Sequence, residues 1–303
     1  MNKKISILID LLQKLDINET INHILVYLKD HLKDLFPIKK ILFIKYNFSQ
    51  QQFKPFKKMD IETITELLQR SFKEKSIIID SSEIVIPLLH HDKPLAFIYI
   101  ESNKRINTKI DIQALDLEAK LCSLIYYNVN LYNLAVKDPL TRIYNMRYFN
   151  YKLKEYFQDY QTKDECKISI VMLDIDHFKH YNDKYGHQTG DKILQTITKT
   201  INAMIDDDIL FARYGGEEFI FLLPNYGIKE ALGFAEKIRN TIQQMRISTK
   251  EFFWRITVSL GVSTYPDDTS NPIDLINCAD MSLYYSKKNG RNKVSAYAYD
   301  VKK

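Results

Sequence analysis

The most constraining stretch in this 303-residue chain is Phe211-Ala212-Arg213-Tyr214-Gly215-Gly216-Glu217-Glu218-Phe219-Ile220-Phe221. Ile209, Phe211 and Arg213 alternate with Leu210, Ala212 and Tyr214 before it turns. Phe219, Phe221 and Leu223 alternate with Ile220 and Leu222 after it. Alternation on both sides of a Gly-Gly pair predicts a β-hairpin whose glycines accept the positive φ of a tight turn. A lone Gly-Gly-Glu-Glu would read as a solvated turn. The second acidic stretch, Asp174 and Asp176, makes it a candidate site.

Ile168 to Leu173 is a nearly continuous apolar run, as for a strand buried on both faces, and it stops at Asp174-Ile175-Asp176. Carboxylates at the end of a buried strand are costly unless something positive pairs them. A divalent cation is the natural partner, and Mg²⁺ favours one or two carboxylates plus substrate phosphates. No Gly-x-x-x-x-Gly-Lys-Ser/Thr occurs, which excludes a P-loop as the phosphate cradle.

The segment Gly215-Gly216-Glu217-Glu218-Phe219 resembles the signature turn of the GGDEF-type diguanylate cyclases, and the resemblance runs from Asp138 to Asn292. Asp138-Pro139-Leu140-Thr141-Arg142-Ile143-Tyr144-Asn145 is similar to the family's entry motif. Phe178-Lys179-x-x-Asn182-Asp183-x-x-Gly186-His187-x-x-Gly190-Asp191-x-x-Leu194 is similar to its nucleotide-binding segment. Thr257 to Val262 resembles a further, structural block, and Ala279-Asp280-x-x-Leu283-Tyr284-x-x-Lys287-x-x-Gly290-Arg291-Asn292 the closing one.

The resemblance implies an α+β fold: a ferredoxin-like, palm-type cyclase domain with an antiparallel sheet and antiparallel additions. It implies condensation of two GTP into cyclic di-GMP and two pyrophosphates. Asp174, the Ile175 carbonyl and Glu217 would hold Mg²⁺ (or Mn²⁺). Gly215, Gly216 and Glu218 complete the catalytic turn, and Glu217 is also a candidate base for the attacking hydroxyl. Phe178, Lys179, Asn182, His187 and Asp191 fall in the substrate segment, with Asn182 and Asp191 reading guanine. Lys287 and Arg291 would reach the triphosphate. A carboxylate accepts from guanine N1–H and its amino group, whereas adenine offers an acceptor there. Two other classes remain open: a silent receptor for GTP or a cyclic dinucleotide, and a cyclase joining adenine and guanine nucleotides.

Asp191 also reads as an N-cap for the helix carrying Leu194, Ile197, Ile201, Met204 and Ile205. A second helix carries Ile228, Ala231, Ala235, Ile238, Ile242 and Met245, and Phe253 to Ser263 reads as one strand. Asn271-Pro272 opens the last helix and Gly290 is its C′ residue. Lys287 and Arg291 would also suit a helix C-terminus without any substrate.

The length suggests two domains. In 1–109 a helix over Asn18–Phe36, a strand Ile41–Tyr46, a helix Ile61–Phe72 and strands Glu83–Leu89 and Leu95–Ile100 resemble a small α/β GAF-type sensor domain for a small-molecule ligand. His90 and His91 fall in the hairpin turn and read as solvated. Residues 110–137 form a helical connector in which Leu117, Leu121, Leu124, Asn128, Leu131 and Ala135 make a heptad seam. A homodimer with two cyclase domains (138–303) face to face would follow. Asp138-Pro139 ends that helix.

The net charge of +5 without a dense basic run does not indicate nucleic-acid binding. No long uninterrupted apolar run suggests a membrane span. The scattered Cys122, Cys166 and Cys278 fit free thiols in a reducing cytoplasm. Many cyclases of this type bind their product at an Arg-x-x-Asp motif five residues ahead of the glycine pair. Asp206 and Ile209 occupy those positions here, which predicts no feedback through that site.

Overall fold

The computed structural model describes residues 17–33, 37–48, 50–57, 60–105, 108–160, 167–248, 253–269, 271 and 274–301. Cys166 and Pro272 lie outside them. The chain divides into two units, residues 1–135 and 136–303.

The first unit holds helix α1 (Ile17–Leu32), strands β1 (Ile38–Asn47) and β2 (Gln52–Pro55), and a 3₁₀ turn at Glu62–Ile64. Helix α2 (Thr65–Glu74) and strands β3 (Ile78–Asp80), β4 (Glu83–His90) and β5 (Lys93–Ser102) follow, then helix α3 (Thr108–Val136), which runs to the unit boundary. The five strands pair antiparallel in the order β2-β1-β5-β4-β3. Period-two alternation sorts their side chains. Phe43, Ile84, Ile86, Ile98 and Ile100 join α1 and α3 in one core; Ile44, Val85, Phe97 and Tyr99 join α2 in another. The turn between β4 and β5 is shorter than the sequence suggested. His91 and Asp92 alone form it, both with positive φ, 45° and 59°. His90 is left in the strand, where its ring stacks on Tyr127 at 3.4 Å between centroids.

The second unit contains β6 (Tyr144–Asn145), α4 (Met146–Tyr160), β7 (Ile168–Ile175), α5 (Phe178–Tyr185), α6 (His187–Asn202), β8 (Leu210–Arg213) and β9 (Glu218–Pro224). Then come α7 (Ile228–Gln244), β10 (Ile247–Ser248), β11 (Phe253–Trp254), β12 (Val258–Tyr265), α8 (Asp274–Lys288) and β13 (Val294–Ala296). The main sheet has the order β13-β12-β7-β9-β8-β6. Its inner four strands are antiparallel and follow the β-α-β-β-α-β path of a ferredoxin-like core. The two edge strands correct the expectation of antiparallel additions. β13 runs parallel to β12 across the α8 crossover, and β6 runs parallel to β8.

Helices cover both faces of this sheet, which is why β7 is buried at every residue. Val171, Leu173 and Ile175 pack with α6 and α7; Ile168, Ile170 and Met172 pack with α4 and α8. The expected single strand from Phe253 to Ser263 is two pieces. β11 pairs with β10, and β12 begins at Val258. Between them the polar groups serve other partners: Tyr181 donates its hydroxyl to the Arg255 carbonyl, and the Asp176 N–H donates to the Thr257 carbonyl.

α8 lies directly on β12 at Gly261. A Cβ there would sit 2.1 Å from the Leu283 nitrogen and 2.2 Å from the Ala279 carbonyl. This contact fixes the height of α8 over the sheet, and with it Lys287.

Candidate active site

Asp174 is the penultimate residue of β7, between its cross-strand partners Glu218 on β9 and Ser259 on β12. It is 7% exposed. Lys287 Nζ, from the last turn of α8, lies 2.8 Å from Asp174 Oδ2 and 3.9 Å from Glu218 Oε1. Burial pushes the Asp174 carboxyl up to about 6, against the pull of Lys287; the charges of Glu217 and Glu218 push the same way. Three carboxylates therefore crowd a strand end with one lysine partly compensating them.

The turn joining β8 and β9 brings Glu217 there. The Tyr214 and Gly215 N–H groups both donate to the Glu218 carbonyl, and the Ile175 N–H reaches the Glu217 carbonyl at 3.4 Å. Neither Gly215 nor Gly216 has a left-handed φ, contrary to the sequence expectation. Their carbonyls are instead drawn together by Arg213. Its Nε donates to the Gly215 carbonyl at 3.0 Å and its Nη2 to the Gly216 carbonyl at 2.7 Å. A Cβ on Gly216 would meet nothing within 4 Å, so no protein atom requires glycine there; one on Gly215 would stand 3.0 Å from Glu218 Oε2.

Arg213 also pairs with Asp138, Nη1 to Oδ1 at 3.1 Å and to Oδ2 at 3.2 Å. The Thr141 N–H and hydroxyl donate to Asp138 Oδ1. Burial alone would raise the Asp138 carboxyl; Thr141 and Arg213 together hold it below the usual carboxylate range. The loop at the start of the second unit is thus tied to the carbonyls of the glycine turn. Sequence reading assigned Arg213 no role, although a charged residue closing the apolar β8 next to Gly-Gly was a usable signal.

The α5–α6 corner presents the other group. Asn182 lies on α5, and its Oδ1 is buried without a hydrogen-bond partner. A Cβ on Gly190 would stand 1.9 Å from that oxygen, so glycine alone leaves room for the amide. Asp191 is not an N-cap. Gly186, with φ +83°, takes that position, α6 begins at His187, and Asp191 is its fifth residue, exposed. Lys179 and His187 are exposed on the same two helices. Phe178 is 5% exposed and packs in the core beneath α6, its ring edge close to Gly190 at the same corner as Asn182.

Gly290 fulfils its C′ role, with φ +106° and the Arg291 N–H bonded to the Ser286 carbonyl. Arg291 is exposed beyond it.

Among the described residues no group of three or more His, Cys, Asp or Glu side chains is arranged to hold a metal ion. The set expected here has only two carboxylates and a carbonyl. Their fit to a hard cation rests on the burial and mutual repulsion at Asp174, which a divalent charge would relieve.

The family model for the diguanylate cyclase GGDEF domain matches residues 135–293, just over half of the chain. The chain belongs to the GGDEF diguanylate cyclase family. Diguanylate cyclase A of Treponema denticola is 31% identical over 248 residues, covering 78% of this chain and 67% of that protein. The probable diguanylate cyclase DgcT of Escherichia coli is 32% identical over 64% of this chain, but only 44% of its own length is covered. Among solved structures, the coiled coil and GGDEF domain of DgcB from Caulobacter crescentus, in complex with c-di-GMP, covers 62% of this chain and 100% of its own. It is 28% identical, with a TM-score of 0.55. Diguanylate cyclases of this family generally depend on a divalent metal.

Proposed function

We infer that the chain condenses two molecules of GTP into cyclic di-GMP and two pyrophosphates, using Mg²⁺ or Mn²⁺. The observation that carries this reading is the carboxylate cluster of Asp174, Glu217 and Glu218 beside a glycine turn and Lys287. Asp174, the Ile175 carbonyl and Glu217 would hold the cation, which when bound orients the α-phosphate and spreads its developing charge. The bare backbone at Gly215 and Gly216 admits the ribose and α-phosphate. Lys179, Lys287 and Arg291 offset the charge of the leaving pyrophosphate. Asn182 and Asp191 read guanine, and His187 lines the same corner. A silent receptor would not need this full complement of acidic, basic and glycine positions.

Each domain holds one GTP, so ring closure requires two domains face to face. α3 supplies a seam for a homodimer. Leu117, Leu124 and Leu131 recur every seven residues and are 69%, 59% and 44% exposed, while Cys122, Ile125 and Val129 on the same helix are buried in the first unit. The first unit serves as a GAF-like sensor for a small-molecule ligand; its antiparallel sheet with helices on both faces supports that reading. Control passes to this unit, since exposed Asp206, Asp207 and Asp208 repel an anionic dinucleotide where related cyclases bind product.

Asp174→Asn and Glu217→Gln test the site at nearly constant shape. Each is expected to lower turnover at least about a hundredfold, the scale of losing one metal-held charge at the reacting phosphate, with an unchanged circular-dichroism spectrum. Near-wild-type turnover in either variant contradicts the metal assignment.

A further inference from the structure

Asp176 lies two residues beyond Asp174, is 3% exposed, and belongs to none of the metal or substrate sets above. Its side chain is taken up entirely by a different task. Oδ1 accepts from the Ser259 hydroxyl at 2.7 Å; Oδ2 accepts from the Thr257 hydroxyl at 2.7 Å and from the Asn292 N–H at 3.0 Å. The last of these bonds reaches the segment that carries Arg291.

That segment is under unusual constraint. Gly290, Arg291 and Asn292 have φ of 106°, 60° and 44°, three left-handed residues in succession. Glycine adopts this conformation freely and asparagine more readily than most residues, whereas arginine does so only when the surroundings impose it. Asp176 holds the loop from the sheet side. Arg239 on α7 holds it from another: its Nη1 donates to Asn292 Oδ1 at 2.9 Å, and its Nε pairs with Glu236. Neither contact touches Arg291 itself, whose side chain is exposed.

We propose that Asp176 and Arg239 are positioning residues that hold the Gly290–Asn292 turn in its left-handed form, so that Arg291 is presented to the GTP triphosphate. The proposal rests on the cyclase reading for Arg291. It assigns Asp176 away from the metal: each carboxylate oxygen already accepts a hydrogen bond, Oδ1 from buried Ser259 and Oδ2 from half-buried Thr257 and Asn292, so its charge serves hydrogen bonds and not a cation.

The test is a double-mutant cycle on the full chain, with initial rates measured against GTP and, separately, against Mg²⁺. Arg291→Ala alone reads the underlying assignment and is expected to raise the KM for GTP roughly tenfold. Arg239→Met, which keeps the length of a largely buried side chain, is expected to raise KM several-fold with kcat within about twofold, and to add nothing in the Arg291→Ala background. Asp176→Ala should behave the same way, and Asp176→Asn should recover most of the loss because its amide oxygen still accepts from Asn292. The Mg²⁺ concentration for half-maximal rate should be unchanged in all of them. Additive effects of Arg239→Met and Arg291→Ala, an unaltered KM in Arg239→Met, or a raised Mg²⁺ requirement in Asp176→Asn would each overturn the proposal. An unaltered KM in Arg291→Ala would overturn the role given to Arg291 as well.

Discussion

At the scale of single residues, the site pairs charges that have different jobs. Lys287 pairs with Asp174 and lies near Glu218, whereas Arg213 spends its donors on two turn carbonyls and on Asp138. The Asp138–Arg213 pair is mostly buried, with side chains 15% and 18% exposed. Removing the guanidinium leaves a carboxylate and two carbonyls short of donors, so Arg213→Met should cost on the order of 2–3 kcal/mol. The pH dependence has a definite sign. Asp138 is held below its ordinary value when folded, so its stabilisation is present above the unfolded carboxylate range. It is lost as pH falls through the folded value. Urea titrations of wild type and Asp138→Asn should therefore differ at neutral pH and converge in acid. A constant gap across pH would contradict this role. The candidate site residues came from motifs whose order and spacing resemble those of the family. Asp176 was read only as part of the acidic stretch that ends β7, and Arg239 was given no role. Only the fold brings both to Asn292.

At the scale of elements, alternation located the strands well, since burial on two faces leaves a clear record in Ile168–Leu173 and Phe219–Leu223. Element ends were read less well where the backbone bonds to distant groups. Thr257 turns toward Asp176 and interrupts the expected strand, and Gly186 starts α6 a turn before Asp191. Parallel pairing of the edge strands depends on the route of the chain, which local pattern does not encode. Gly261 looked like part of a structural block, and its reason is now specific: α8 approaches the sheet to within a Cβ radius. Gly261→Ala must push α8 outward, because the atoms in its way are backbone. The expected loss is about 1–3 kcal/mol by chemical denaturation. Activity should fall further than stability alone explains, since Lys287 moves with the helix. Wild-type stability and turnover in Gly261→Ala would show that the sheet absorbs the methyl group instead.

At the scale of the whole molecule, α3 links the two units in the chain and displays leucines that its own unit does not cover. Among the described residues no helix is long and apolar enough to cross a membrane. In the proposed reading, a second copy would cover the exposed leucines of α3 and bring the second GTP. Leu124→Asp should weaken self-association by about tenfold or more, since it would bury a charge in the proposed seam, and should lower specific activity most at dilute protein. Light scattering over a concentration series checks this, and an unchanged dimer would return the stripe to an ordinary solvated face. The central claim is the reaction itself. Purified protein incubated with GTP or ATP, singly and mixed, in the presence of Mg²⁺ and followed by chromatography of the products, tests it directly. Cyclic di-GMP and twice its amount of pyrophosphate should form from GTP, and nothing from ATP alone. A mixed adenine–guanine dinucleotide, or bound GTP that is never turned over, would contradict it.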